Sequence, residues 1–233
     1  MALIIVGDFD AEATKPMIEE TFGRLEYKEL PERPTYPKVS FANNTTHKFK
    51  MGYYPMIFWA YDGVKIADED ALPLQFVLSL LNNSSNTGLL DKLNMDGVVS
   101  SVSASLDSRR DQGRILVQAI PYYDANQQTY ESDAATSRIV MAELNKLKTG
   151  DIPEWLIQTV KAEFAQNYKL AFESSEVKMN ALVQSFIYET PIDDIFTENH
   201  KVQAFTKEDI QRIAKKYFDA NYITLSFNEG DPK

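Results

Sequence analysis

The stretch Val98-Val99-Ser100-Ser101-Val102-Ser103-Ala104-Ser105-Leu106 alternates almost without a break, and the fold is read outward from it. Val98, Ser100, Val102, Ala104 and Leu106 share one side, and Val99, Ser101, Ser103 and Ser105 share the other, because a strand has a period of two. Both sides are small or serine-rich, so the strand is weakly hydrophobic on either. Ser108-Arg109-Arg110-Asp111-Gln112-Gly113 predicts a turn, and Arg114 to Ile120 returns as a strand. Together they read as a hairpin.

Toward the N-terminus, Gly97 stops a short helix that places Leu89, Leu90 and Leu93 inside. Asn82-Asn83-Ser84-Ser85-Asn86-Thr87-Gly88 is a polar loop. Before it, a helix is expected over Ala71 to Leu81, with Leu72, Phe76 and Leu80 on one face, Pro73 in the first turn and Asp68 or Asp70 as cap. His47 to Tyr54 and Met56 to Tyr61 read as aromatic-rich strands. Leu30-Pro31-Glu32-Arg33-Pro34-Thr35-Tyr36-Pro37 disfavours helix and marks a linker. Ala2 to Val6 predicts a buried strand ending at Gly7-Asp8, and Asp10 can cap a helix over Glu12 to Phe22, with Ile18 and Phe22 on one face and Gly23 as its stop.

The second half is helical. Thr129 to Lys148 spaces Thr136, Val140, Leu144 and Leu147 as a helix, ended by Gly150 and Pro153. A long helix from Glu154 towards Tyr188 carries Leu156, Val160, Phe164, Tyr168 and Phe172 as a stripe, with a weak point at Ser174-Ser175. Pro191 breaks it, and a shorter helix follows over Ile192 to Ala204. Thr206-Lys207-Glu208-Asp209 resembles a capping box, opening a helix with Ile210, Ile213, Ala214 and Tyr217 inside. Tyr222 to Phe227 closes as a strand. That strand and Gly230-Asp231 echo Leu3 to Asp8, a weak sign of duplication. Strands come first and helices later, so the class is α+β, with a mixed or antiparallel sheet covered by helices.

The chain has 233 residues, enough for one or two domains with a real core. Its 24 Lys and Arg against 34 Asp and Glu give a net charge of −10, which argues against a nucleic-acid backbone or an anionic lipid surface as main partner. With no cysteine, disulfides, thiolate zinc sites, iron–sulfur clusters and cysteine nucleophiles are excluded. The apolar runs are too short for a membrane span, and MALIIVGDFD lacks the basic region of a signal peptide.

Catalytic signals are sparse. The two histidines, His47 and His200, form no metal-ligand pair and read as exposed or simply hydrogen-bonded. There is no serine elbow, no Walker loop and no dinucleotide fingerprint. Asp68-Glu69-Asp70 and Asp193-Asp194 sit at helix starts, where capping explains them. Arg109-Arg110 reads as a solvated turn beside Asp107 and Asp111. Tyr53, Tyr54, Phe58, Trp59 and Tyr61 are expected to fill a core.

Three stretches resemble the pitrilysin/insulinase zinc metallopeptidases, the inverzincins. Ala2 to Asp10, continuing through Phe22-Gly23-Arg24-Leu25, is similar to the strand, Gly-Asp-Phe-Asp turn and helix that finish that family's catalytic domain. Asn83 to Ser105, with Gly88 to Leu93 and Gly97 to Ala104, is similar to the loop, short helix and strand of its second domain. Phe205 to Phe218 matches its closing helix. The resemblance covers nearly the whole chain.

The resemblance implies a fragment: residues 1–30 as the remnant of an upstream catalytic domain, 31–44 as linker, and 45–233 as the following, non-catalytic domain. The family's H-x-x-E-H motif and its glutamate ligand would precede Met1. Zinc is then expected in the upstream domain, with no cofactor on this chain and no peptide cleavage by it alone. The partners implied are that catalytic domain, the downstream half of the same polypeptide and extended peptide substrates. A bacterial, periplasmic location is implied at the level of the family. In the family's other half an Arg and a Tyr hold substrate near zinc, and Asn94 and Ser100 stand at those positions here. This departure favours the second domain of the first half, where insulinase-like members carry an exosite strand. Val102, Ser103, Ala104 and Ser105 occupy that strand and are the candidate substrate-binding residues. Small side chains on an edge strand let a peptide add as a further strand. Two readings stand beside this one: a structural or scaffolding subunit of the same fold, and an unrelated binding domain.

Overall fold

A computed structural model describes residues 2–29, 31–34, 36–50 and 54–228. Its centre is the hairpin. Strand β3 (Ser101–Ser108) pairs antiparallel with β4 (Gly113–Ile120), and β4 pairs antiparallel with β2 (Met56–Asp62). The last strand, β7 (Tyr222–Asn228), inserts between β2 and β1 (Thr45–Lys50), antiparallel to the first and parallel to the second. The five-stranded order is β1-β7-β2-β4-β3, so β3 is an edge. A two-stranded ribbon, β5 (Tyr123–Asp124) and β6 (Thr129–Tyr130), follows β4.

Helices cover one face of the sheet. The inward residues alternate as a half-buried strand requires: Ile57, Trp59 and Tyr61 on β2, and Ile115, Val117 and Ala119 on β4, are all buried. Against them pack α2 (Ala71–Ser79), α3 (Leu89–Met95), α4 (Asp133–Thr149), the N-terminal part of α5 (Glu154–Glu173) and α8 (Lys207–Phe218). The opposite face stays open. Phe58, Leu116, Ile120, Ile223, Leu225 and Phe227 on it are only half-buried, and Phe49 is exposed.

The α+β class and mixed sheet agree with the sequence reading, and several details are corrected. Ala2–Val6 forms no strand, since no described strand pairs with it; Leu3 and Ile5 are exposed. Helix α1 (Ala11–Phe22) is capped by Asp10, whose Oδ1 accepts from the Glu12 and Ala13 amides at 2.9 and 3.1 Å, yet buries none of its side chains. β3 begins at Ser101 rather than Val98, because Gly97, at φ +65°, ends α3 and the chain needs Val98–Ser100 to turn into the sheet. Thr129 belongs to β6; α4 starts after Ser132, whose hydroxyl accepts from the Ala135 amide. Gly150, at φ +74°, ends α4 as expected. The expected strand His47 to Tyr54 starts at Thr45, and Tyr53 lies outside the described residues, as do Gly230-Asp231. Tyr54 is exposed and Phe58 lies on the open face, so of the four described aromatics Trp59 and Tyr61 are the two buried in the core.

The weak point at Ser174-Ser175 is a break. Ser174 is extended (φ −93°, ψ 123°), closing α5 and capping α6 (Ser175–Tyr188) through its hydroxyl. Helix α7 (Ile192–Ala204) starts after Pro191. Thr206 and Asp209 form the capping box of α8, each side chain accepting from the other's amide.

Asp70 is the clearest correction among the carboxylates. It adopts αR geometry at the start of α2 and caps nothing with its side chain. It is instead buried, 4% exposed, and accepts from Lys216 Nζ and from Tyr217 Oη at 2.9 Å, both on α8. Burial alone would push its carboxyl up, but these hydrogen bonds, with the Lys216 and Arg212 charges, hold it below the usual carboxylate range. A depressed carboxyl contributes stability above the unfolded chain's value of about 4, and loses it as pH falls through the folded value. The parent chain should therefore lose stability more steeply than Asp70→Asn as pH drops from about 5 to about 2, read as urea midpoints. Equal slopes would remove Asp70 from the acid response.

Candidate functional site

The four residues picked from the sequence do lie together on the sheet's edge. Alternation divides their side chains between the faces: Val102, 2% exposed, and half-buried Ala104 turn towards the helices. Ser103 and Ser105 lie on the open face, where Ser103 Oγ accepts from Gln118 Nε2 at 3.1 Å. The backbone divides differently. In an antiparallel pair, alternate residues turn N–H and C=O to the neighbour, and those between turn them outward. Val102 and Ala104 are residues of the outward kind.

Two asparagines answer those groups. Asn94, near the end of α3, accepts from the Val102 amide at 2.7 Å and donates to the Val102 carbonyl at 2.9 Å. Asn82, in the loop after α2, accepts from the Ala104 amide at 2.8 Å. Further along the strand, no side chain among the described residues caps the backbone of Leu106, and Ser108 Oγ is buried without a partner among them.

The two asparagines are held differently. Asn82 also donates to Asp91 Oδ1 at 2.7 Å. Asp91, only 7% exposed, accepts the Asn83 and Gly88 amides at 3.0 and 2.9 Å through its other oxygen. One carboxylate thus ties the loop, the start of α3 and the Asn82 side chain together. Asn94 is exposed, and among the described residues its side chain makes no hydrogen bond beyond those to Val102. Sequence reasoning missed both amides. In the sequence Asn82 reads as loop and Asn94 only as a departure from a family pattern; the available signal is one asparagine before a short helix and another near its end, ahead of a strand.

Other polar groups are spent locally. Arg109 pairs with Asp107 at 2.6 Å, and Arg110 pairs with Glu189 rather than standing solvated in the turn. Arg33, in the proline-rich segment, reaches Asp111 at 2.6 Å. A cleft of about 630 Å³ lies between α2, α5, α6 and α7. In it Glu163 accepts from the Ser84 hydroxyl and the Ser85 amide, and burial pushes the Glu198 carboxyl up. His47 and His200 are both exposed, on β1 and α7. Among the described residues no three His, Cys, Asp or Glu side chains converge as a metal site.

A half-open sheet with helices on one face occurs in many proteins, so the family has to come from comparison. The model of the peptidase M16 inactive domain matches residues 1–164. The chain belongs to the M16 peptidase family. This is the pitrilysin/insulinase family that the three stretches resemble, and the match is to its inactive domain. No curated protein matches the sequence. Among solved structures, a protease from Helicobacter pylori superposes with a TM-score of 0.77 at 18% identity, covering 96% of this chain and 54% of that one. The periplasmic protease PqqL from Escherichia coli gives 0.71 at 15%, covering 96% of this chain and 24% of that one. A peptidase M16 inactive domain from Pseudomonas fluorescens gives 0.67 at 14%, covering 96% and 51%. At these identities the likeness is one of fold. The M16 chain described here spans about half the length of the first of these structures.

Proposed function

We propose that this M16 chain is the non-catalytic wall of a zinc metalloendopeptidase chamber, with the outer edge of β3 as an exosite for extended peptides. Residues 45–233 are then the second α+β domain, 31–44 the linker, and 1–30 the closing unit of the catalytic domain before it. The observation that carries the reading is the position of β3: an edge strand of small residues bordering an open, partly apolar sheet face. A peptide added there would extend the sheet through main-chain hydrogen bonds, which read conformation rather than sequence. The bare helix α1 supports the domain division. Met17 and Phe22 are exposed on it, as they would be if their neighbours belong to the catalytic domain. Zinc would be held by that domain, by two imidazoles and a carboxylate, and would supply the Lewis acid for hydrolysis, with a glutamate there as the base. The compartment is the bacterial periplasm, where the PqqL protease of similar fold is found.

The test is peptide cleavage with added zinc, by this chain and by one that includes the catalytic domain. Only the longer chain should cleave, and a chelator should abolish it. A longer chain that binds no zinc and cleaves nothing would replace this reading with that of a structural subunit of the same fold.

A further inference from the structure

The Asn94 carboxamide does to Val102 what a neighbouring strand would do. It accepts from the amide and donates to the carbonyl of one residue, at 2.7 and 2.9 Å. That reciprocal pair of bonds is the unit of an antiparallel ladder. A peptide docking along the edge needs the same two groups, so peptide and Asn94 exclude each other at Val102. We infer that Asn94 is a releasable clasp, standing in for the absent strand and setting the affinity and register of any peptide that adds to β3. The inference rests on the edge-docking reading above.

Three features make Asn94 the clasp rather than Asn82. Asn82 is locked by the buried Asp91, whose other oxygen holds two backbone amides, so moving it would undo the loop. Asn94 is exposed, and a single rotamer change returns both of its polar groups to water while freeing both groups of Val102. The clasp also sits where the edge changes character. From Asn94 towards the C-terminal end of β3, Asn82 blocks only the Ala104 amide, and no described side chain caps Leu106. With the clasp closed, a peptide is confined to the stretch from the Ala104 carbonyl onward. With it open, the ladder extends back to Val102. Closed, the clasp also blunts an edge that would otherwise recruit other strands, which is a common need of exposed sheet edges.

The probe is a dye-labelled peptide of about eight alternating threonines and valines flanked by lysines, matched to ordinary strand length and to the acidic chain. Binding is read by fluorescence anisotropy and protection by amide hydrogen exchange. Asn94→Ala should bind it about tenfold more tightly than the parent chain, since two hydrogen bonds no longer have to be displaced. Asn94→Asp, which can still accept from the Val102 amide but cannot donate to its carbonyl, should fall between them. Without peptide, the Val102 amide should exchange faster in Asn94→Ala, and peptide should restore its protection. Equal affinity for the parent and Asn94→Ala overturns the clasp and leaves the exosite standing. No binding by either overturns the exosite, and the inference with it.

Discussion

Phe76→Ala is expected to cost about 4 kcal/mol of folding stability, seen as a fall of roughly 10 °C in Tm for a chain of this size. Phe76 has no exposed surface. Its ring lies 5.8 Å from that of Phe164 on α5 and 5.3 Å from that of Phe205 at the end of α7, so one side chain ties α2 to two later helices. Truncation would remove the transfer energy of a whole ring and leave a cavity walled by rigid neighbours. Phe58→Ala is the control. Phe58 sits on the open face, half-buried, edge-on to Phe227 at 5.7 Å, and should cost well under half as much. Thermal unfolding followed by circular dichroism measures both. Equal losses would mean that the open face is covered in solution, by a second copy for instance.

The second large effect is expected from Asp91→Ala, at about 3 kcal/mol. Nothing apolar is lost; the cost comes from the donors left behind. The Asn82 side chain and the Asn83 and Gly88 amides would all lose the acceptor that satisfies them. Asp91→Asn keeps an acceptor for some of these and should lose less. Because Asn82 would no longer be anchored, the Ala104 amide should also exchange faster in Asp91→Ala, while Val102, held by Asn94, keeps its protection. Loss of protection at both amides together would show that α3 as a whole has detached.

What the sequence discloses depends on the distance over which each choice is made. The capping box at Thr206 and Asp209 is legible because donor and acceptor are three residues apart and compete only with water. The break at Ser174 is legible for a similar reason: serine favours a cap over a helix interior. Asp70 is misread because its position at a helix start suggests capping, while its actual partners, Lys216 and Tyr217, come from the far end of the chain. Ala2–Val6 is apolar enough for a strand, but a strand exists only where a neighbour completes its ladder. The position of β3 on an edge follows from strand order, and the asparagine clasp from how α3 lies against that edge. Neither leaves a periodic trace in the sequence. The four candidate residues are legible through family resemblance, and the amides beside them only through geometry.

The place of β7 has a bearing on how the protein is made. β2 waits beside β4 for a neighbour encoded after α8, and among the described residues β1 pairs only with that same strand. Ribosomes add about 5–20 residues per second, so the nascent chain carries an unfinished sheet for roughly ten seconds or more before β7 emerges. During that interval the hairpin and the early helices can assemble, but Met56–Asp62 offers an unpaired apolar edge to any passing strand. The sheet can close only once Tyr222–Asn228 has been translated, so until then the edge of β2 has to be kept from pairing with other strands.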